Sequence, residues 1–286
     1  MGHCWYLPLF VFLLFTLAAS GQRVAFLTPD KAEASRNFAE KLEDRLGQKL
    51  RVLDDSMSEA AYLSTAPATP FNMTAVLSKE IGLRIGCDFF ILIRSATQRR
   101  SAFQRAEYYE SYSAIYVVST RTGRLVFWKL QSFEAGKPAK AEKMLDDSVK
   151  GLASEVEIQV AAAMKKELAE SAPPQMEEPE PDSPPKANFR APIPFRRIKP
   201  EFTTQAAFYD TAATVEISVD LDAVGTIMRT EVVRWAGYGL DESVEKTVRQ
   251  MNWRPAERNG KALPMRFLLR YNFKKVEKKE ITQIHK

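Results

Sequence analysis

Few side chains in this chain have the type and spacing that chemistry needs. The two histidines, His3 and His285, lie at opposite ends of the 286 residues. A histidine triad, a histidine metal cluster or a histidine general base is therefore not expected in the folded parts. No glycine-rich phosphate loop is present; Gly82 and Gly86 are isolated glycines in and at the end of an expected helix. Asp54-Asp55 and Asp146-Asp147 are adjacent acids, and neighbours on a strand or helix point apart, so neither pair makes a catalytic dyad. Asp220-Leu221-Asp222 sits where a hairpin turn is expected; turn chemistry is preferred there to a calcium site. Asn72-Met73-Thr74 matches a glycosylation sequon, a pattern that arises often by chance. Gln98-Arg99-Arg100 and Arg105, followed by Tyr108, Tyr109 and Tyr112, mix charge with aromatics as a single-strand nucleic-acid platform does. The exported character argued below favours a polar loop running into a strand face. No catalytic residue, metal ligand or cofactor is assigned; a pocket with convergent polar groups within 23–170 would be needed to reopen an enzymatic reading.

The elements that must carry these residues divide the chain. Cys4 to Ala19 is an apolar run, short for a membrane span of about twenty residues. Small residues follow at Ala18-Ala19-Ser20-Gly21, so residues 1–21 are read as a cleaved signal peptide, with an uncleaved N-terminal anchor as the alternative. Cleavage would leave Cys87 as the single cysteine of two, read as a small buried hydrophobe. The net charge of +5 is modest, and a basic tail at 276–286 is read as solvated.

Residues 23–170 read as an α/β domain. Val24–Leu27 is a buried strand, and Pro29-Asp30 with Glu33 forms a capping-box-like start to a helix carrying Phe38, Leu42 and Leu46 and stopping at Gly47. Leu50–Leu53 is a second strand, 54–71 a loop, and Leu77, Ile81 and Ile85 mark a helix closed by Gly86. Phe89–Ile93 is a central strand, apolar on both faces. A hairpin turns at Arg121-Thr122-Gly123, and a long helix runs from about Ala141 to Leu168. A mixed sheet covered by helices follows from this order, which also resembles, by element order alone, the N-terminal domain of TolB.

Eight of the sixteen prolines fall in 171–195, interleaved with Glu177, Glu178, Glu180 and Asp182. The segment 171–196 therefore reads as an extended linker, a spacer that at ~3.1 Å per residue would span roughly 75 Å.

The last third is the most legible. Val215, Ile217, Val219 and Leu221 alternate with polar residues, Asp222–Gly225 turns, and Thr226–Trp235 returns. Leu240, Val244, Val248 and Met251 form one helical stripe behind Asp241, read as the N-cap. Asn259-Gly260 is a turn, and Met265 to Phe273 alternates again.

The hairpin, the Leu240-Asp241 helix start, Trp253 with Pro255-Ala256, Asn259-Gly260 and the terminal Phe273 together resemble a TonB C-terminal domain over about 198–275. The chain departs from that pattern at Pro200-Glu201-Phe202, where a Tyr-Pro pair is usual, and at Ala212-Ala213, where a glycine is usual. The fold class is then α+β: an N-terminal mixed α/β sheet domain, a Pro-rich linker and a small C-terminal ββαβ domain at 197–275. The resemblance implies a non-enzymatic protein of the periplasm or cell envelope that takes part in transmembrane transport. It implies binding of a peptide from an outer-membrane receptor or envelope protein, contact with the inner membrane through the N-terminal segment, and no nucleic acid. The expected partner-binding residues are Arg266, Phe267, Leu268, Leu269, Arg270, Tyr271 and Phe273, an open strand edge to which an extended peptide adds. Arg266 and Arg270 would keep that edge from pairing with itself and attract acidic peptide residues. A soluble periplasmic scaffold without motor coupling is the alternative.

Overall fold

The computed structural model describes residues 21–102, 105–179 and 188–274. The N-terminal run and the basic tail fall outside them. Among the described residues no helix is long and apolar enough to cross a membrane.

The N-terminal unit is built from β1 (Arg23–Leu27), α1 (Glu33–Leu46), β2 (Arg51–Val52), α2 (Asp55–Leu63), α3 (Ala75–Ile85), β3 (Phe89–Ala102), β4 (Arg105–Ser119), β5 (Leu125–Ala135) and α4 (Pro138–Ala169). Its sheet has the order β2-β1-β3-β4-β5. The first three strands are parallel and the last three antiparallel, the mixed sheet read from the sequence. Phe89 to Ile93 are all almost fully buried, as a strand covered on both faces requires. On one face α1 and α4 lay Phe38, Leu42, Leu46, Leu145, Leu152 and Val156 against Phe26, Ile91 and Val117.

Two local readings are corrected. The stretch 54–71 is not all loop: α2 occupies its first half, capped by Asp54, whose side chain accepts from Met57 N–H. That helix buries only Ser58 and Tyr62, so it has no apolar stripe to betray it. The start of α1 is not a capping box; Glu33 is its first residue, and Asp30 instead accepts from Ala32 N–H and Ser35 Oγ. Gly86 does close α3, in the left-handed conformation at φ 80°.

The second unit comprises β6 (Phe189–Arg190), β7 (Ile193–Pro194), α5 (Thr204–Phe208), β8 (Ala213–Leu221), β9 (Ile227–Arg234), α6 (Leu240–Arg249), β10 (Trp253–Arg254), β11 (Ala256–Arg258), β12 (Lys261–Leu263) and β13 (Met265–Phe273). Its main sheet has the order β13-β8-β9, all antiparallel. Val215, Ile217, Val219 and Leu221 are fully buried beside Leu240, Val244 and Val248 of α6, as the two periodicities require. Asn259 and Gly260 both take positive φ (52° and 77°) in the two-residue turn from β11 to β12, the geometry that Asn-Gly favours.

The segment read as a linker is partly structured. β6 pairs with β11 and β7 with β10, so its C-terminal portion belongs to the second unit. Nor are the units held apart. One hydrophobic core runs from Leu27, Phe90, Leu92 and Tyr116 of the first sheet to Trp235, Tyr238 and the α6 stripe. The second unit thus forms a third layer on the sheet face that α1 and α4 leave open. Trp235 lies 5.8 Å from Tyr116, and Tyr238 4.9 Å from Trp128, between ring centroids. Gly237 lets this approach happen: at φ 72°, a Cβ there would sit 2.6 Å from the Trp128 ring.

Candidate functional site: the free edge of the C-terminal sheet

β13 is an outer strand, with β8 on one side of it. Its residues alternate as their types dictate. Met265, Leu269 and Phe273 are buried and Phe267 and Tyr271 partly so, on the face toward α6; Leu268, Arg270 and Asn272 are exposed. Phe267 meets Trp253 edge-on at 5.8 Å, and Phe273 stacks with Phe202 at 6.1 Å. Of the seven residues expected to bind a partner, Phe267, Leu269, Tyr271 and Phe273 therefore anchor the strand to its own core. Arg266, Leu268 and Arg270 are the ones that line the outside.

The backbone decides what the edge offers. In an antiparallel ladder, alternate residues exchange both hydrogen bonds with the neighbouring strand and those between them point away. The Arg266 N–H points away from β8, since it donates to the Glu177 carbonyl at 2.9 Å. By the same alternation Leu268, Arg270 and Asn272 turn their N–H and C=O groups outward. No other backbone bond reaches this side of β13 among the described residues. Among the described residues the Arg266 N–H is taken up by the chain itself, and no backbone bond takes up the outward groups from Leu268 onward.

Arg266 and Arg270 are already neutralised within the sheet. Arg266 Nε and Nη2 donate to Asp220 at 2.6 and 2.9 Å, and Arg270 Nε donates to Glu216 at 2.7 Å. Both acids lie directly across the ladder, and both are buried, Asp220 2% and Glu216 6% exposed. Burying a carboxylate without a cation is costly, so these guanidiniums hold the polar face of β8 together. The Arg270 side chain nevertheless remains 63% exposed, open to a second anion. This pairing had a signal in the sequence, since Glu216 and Asp220 are four apart on one strand and Arg266 and Arg270 four apart on the other.

The edge also meets its own chain. Arg266 donates to the Pro174 carbonyl at 3.4 Å and pairs with Glu178 at 3.5 Å, while Arg258 forms a salt bridge with Glu177. Residues 174–178 thus form a strap across the Met265 end of the strand.

The other candidates resolve into structure. Asn72 is a clamp between the units: its Nδ2 donates to the carbonyls of Thr214 and Trp235, and its Oδ1 accepts from Thr214 N–H. The side-chain nitrogen that a glycan would use is committed. Of the charged and aromatic run, Tyr112 packs on Tyr209 at 5.0 Å, and Arg100 lies 4.5 Å over the ring of Phe208 at the end of α5. Beneath them Glu110, 1% exposed, accepts from Gln98, Arg100, Ser132 and Tyr209. Burial pushes its carboxyl up, but those four donors outweigh it and hold the group below its ordinary value. Asp222 accepts from Val224 and Thr226 N–H as a turn residue, and Asp220 is spent on Arg266. Cys87 is buried and free, its thiol pushed up to about 11 by burial, in keeping with a packing role.

Two concavities stand apart from β13. One, about 130 Å³ between α1 and α2, has Glu40, Asp55, Glu59, Lys31 and Arg36 on its walls. The other, about 390 Å³, lies between β5 and β9 and takes in Arg124, Glu231 and Asp241. Asp241 is not the N-cap of α6; Gly239 is, in the left-handed region. The Asp241 carboxylate instead accepts from Ala236 and Gly237 N–H, fixing the loop that docks on the first unit. Burial pushes that carboxyl up to about 7 in spite of those two bonds. Among the described residues no group of three acids, cysteines or histidines could hold a metal ion.

The second unit thus holds a three-stranded antiparallel sheet backed by one helix, whose outer strand turns backbone groups outward from Leu268 on. Residues 198–274, under a third of the chain, match the family described as the Gram-negative bacterial TonB protein C-terminal. Among solved structures, the Pseudomonas aeruginosa TonB C-terminal domain is similar at 18% identity over 33% of this chain and 92% of that one, with a TM-score of 0.26. The hypothetical protein CT253 from Chlamydia trachomatis is similar at 13% identity over 49% of this chain and 99% of that one, TM-score 0.35. The lipoprotein GNA1162 from Neisseria meningitidis is similar at 11% identity over 48% and 98%, TM-score 0.35. No curated protein matches the chain. The likeness to that family rests on the match over 198–274.

Proposed function

We propose that this is a non-enzymatic protein of the bacterial cell envelope that captures an extended peptide of an outer-membrane partner along the free edge of β13, in energy-coupled transport. The observation that carries the reading is the row of outward backbone groups at Leu268, Arg270 and Asn272, on the strand that closes the stretch matching the TonB C-terminal family. An incoming strand completes those hydrogen bonds, which gives affinity, while the outer side chains set preference. Arg270, half released to solvent, favours an acidic peptide residue beside it.

The test uses an edge-specific substitution. Leu268→Pro removes one outward donor and leaves the β8 ladder its bonds, because proline is tolerated where the N–H of an edge strand faces solvent. Titration calorimetry with a TonB-box-type acidic peptide should give binding to the wild-type chain and a loss of about tenfold or more in the variant, about 1.4 kcal/mol. Equal affinities would sink the reading.

A second reading, a periplasmic scaffold without motor coupling, is favoured by the common core of the two units, which is unlike a tethered, independently swinging domain. The mass of the mature N-terminus separates the two. Retention of the Met1 region supports the anchored form, and its removal supports the scaffold.

A further inference from the structure

We propose that residues 174–178 are a built-in occupant of the β13 edge, a strap that a partner peptide must displace; this rests on the reading of that edge as the peptide site. Three contacts of different kinds converge on it. The Glu177 carbonyl takes the Arg266 N–H at 2.9 Å, the bond an added strand would make at that position. The Glu177 and Glu178 carboxylates sit on Arg258 and Arg266. The Arg266 guanidinium, already bonded to Asp220, also reaches the Pro174 carbonyl.

The strap has the chemistry expected of the ligand. It is acidic, begins at Pro174 and has Pro173 and Pro179 on either side, so it supplies carbonyl acceptors and charge, while Pro174 has no N–H to give. It fills the first position of the edge, and among the described residues no backbone bond from it reaches Leu268, Arg270 or Asn272. The exposed ion pairs are individually weak and screened by salt. Such an occupant shields the edge and yields to a better strand. A site that is open only about one tenth of the time binds its partner about tenfold more weakly than the bare edge does.

The experiment uses the full chain, wild type and the double variant Glu177→Lys, Glu178→Lys, which sets like charges against Arg258 and Arg266. Two readouts are taken: amide exchange at Arg266, and the affinity for a synthetic acidic TonB-box-type peptide. The strap predicts a protected Arg266 amide beside a fast Leu268 amide in the wild type, loss of that protection in the variant, and peptide binding about tenfold tighter in the variant. Arg266 exchanging as fast as Leu268 in the wild type overturns the strap, and so does unchanged peptide affinity once Arg266 is released. If the peptide binds neither protein, the peptide-site reading is what fails; Arg266 protection, read without peptide, still reports whether the strap is seated.

Discussion

Asn72 commits both halves of its side-chain amide across the two units, to Thr214 twice and to Trp235 once. Truncation to Asn72→Ala leaves the Thr214 N–H and two carbonyls without those partners at a half-buried seam. The expected cost is about 2 kcal/mol, the penalty for unsatisfied groups, read as a lower midpoint in urea unfolding. A change within about 0.5 kcal/mol would mean that water replaces the clamp. In the sequence this residue opens a sequon match of the kind that arises often by chance. Its role could not be read there, because the groups it binds lie some 140 or more positions away. Arg266 and Arg270 teach the same lesson in the other direction. Their types and spacing were legible, but their burial-driven pairing with Asp220 and Glu216 depends on the β8–β13 register. That register turns two apparent lures for acidic peptide into structural cations, of which Arg270 alone keeps most of its side chain in solvent.

At the level of the element, strands and helices with an apolar period announced themselves: β3, β8, β13, α4 and α6. Those without one did not. α2 buries two side chains, and β6, β7 and β10 are two residues each, fixed by partners and not by propensity. The start of α6 gives a pH test. The Asp241 carboxyl, beneath the docking loop, is raised from 3.8 to about 7 by burial. The folded state therefore keeps its proton to higher pH than the unfolded chain does. The sign follows: this group's contribution is fully present below about pH 4 and is lost as pH rises toward 7, after which it is flat. Asp241→Asn retains a carbonyl acceptor and cannot ionise. Thermal midpoints of the wild type should fall relative to those of Asp241→Asn between pH 4 and pH 7. Parallel profiles for the two proteins would show that the carboxyl titrates normally.

Across the whole molecule, the unforeseen feature is the third layer. Composition and proline content in 171–195 pointed to a stiff spacer, and part of it is extended, but the units it joins share a core. The residues responsible were visible, since Tyr116, Trp128 and Trp235 are large aromatics on otherwise ordinary strands or at their ends. What the pattern could not say is that they meet each other and not solvent. The consequence for function is one of presentation. The second unit turns its α6 side and the 235–238 loop to the first sheet, and among the described residues the outer edge of β13 carries no strand of the first unit. The most direct test of the central claim is residue-resolved amide exchange on the full chain, free and saturated with an acidic TonB-box-type peptide. The account predicts fast exchange at Leu268, Arg270 and Asn272 in the free protein, slowed at least about tenfold in the complex, with Phe267, Leu269 and Tyr271 slow throughout. Outward amides that are already slow in the free chain, or still fast when the peptide is bound, would contradict it.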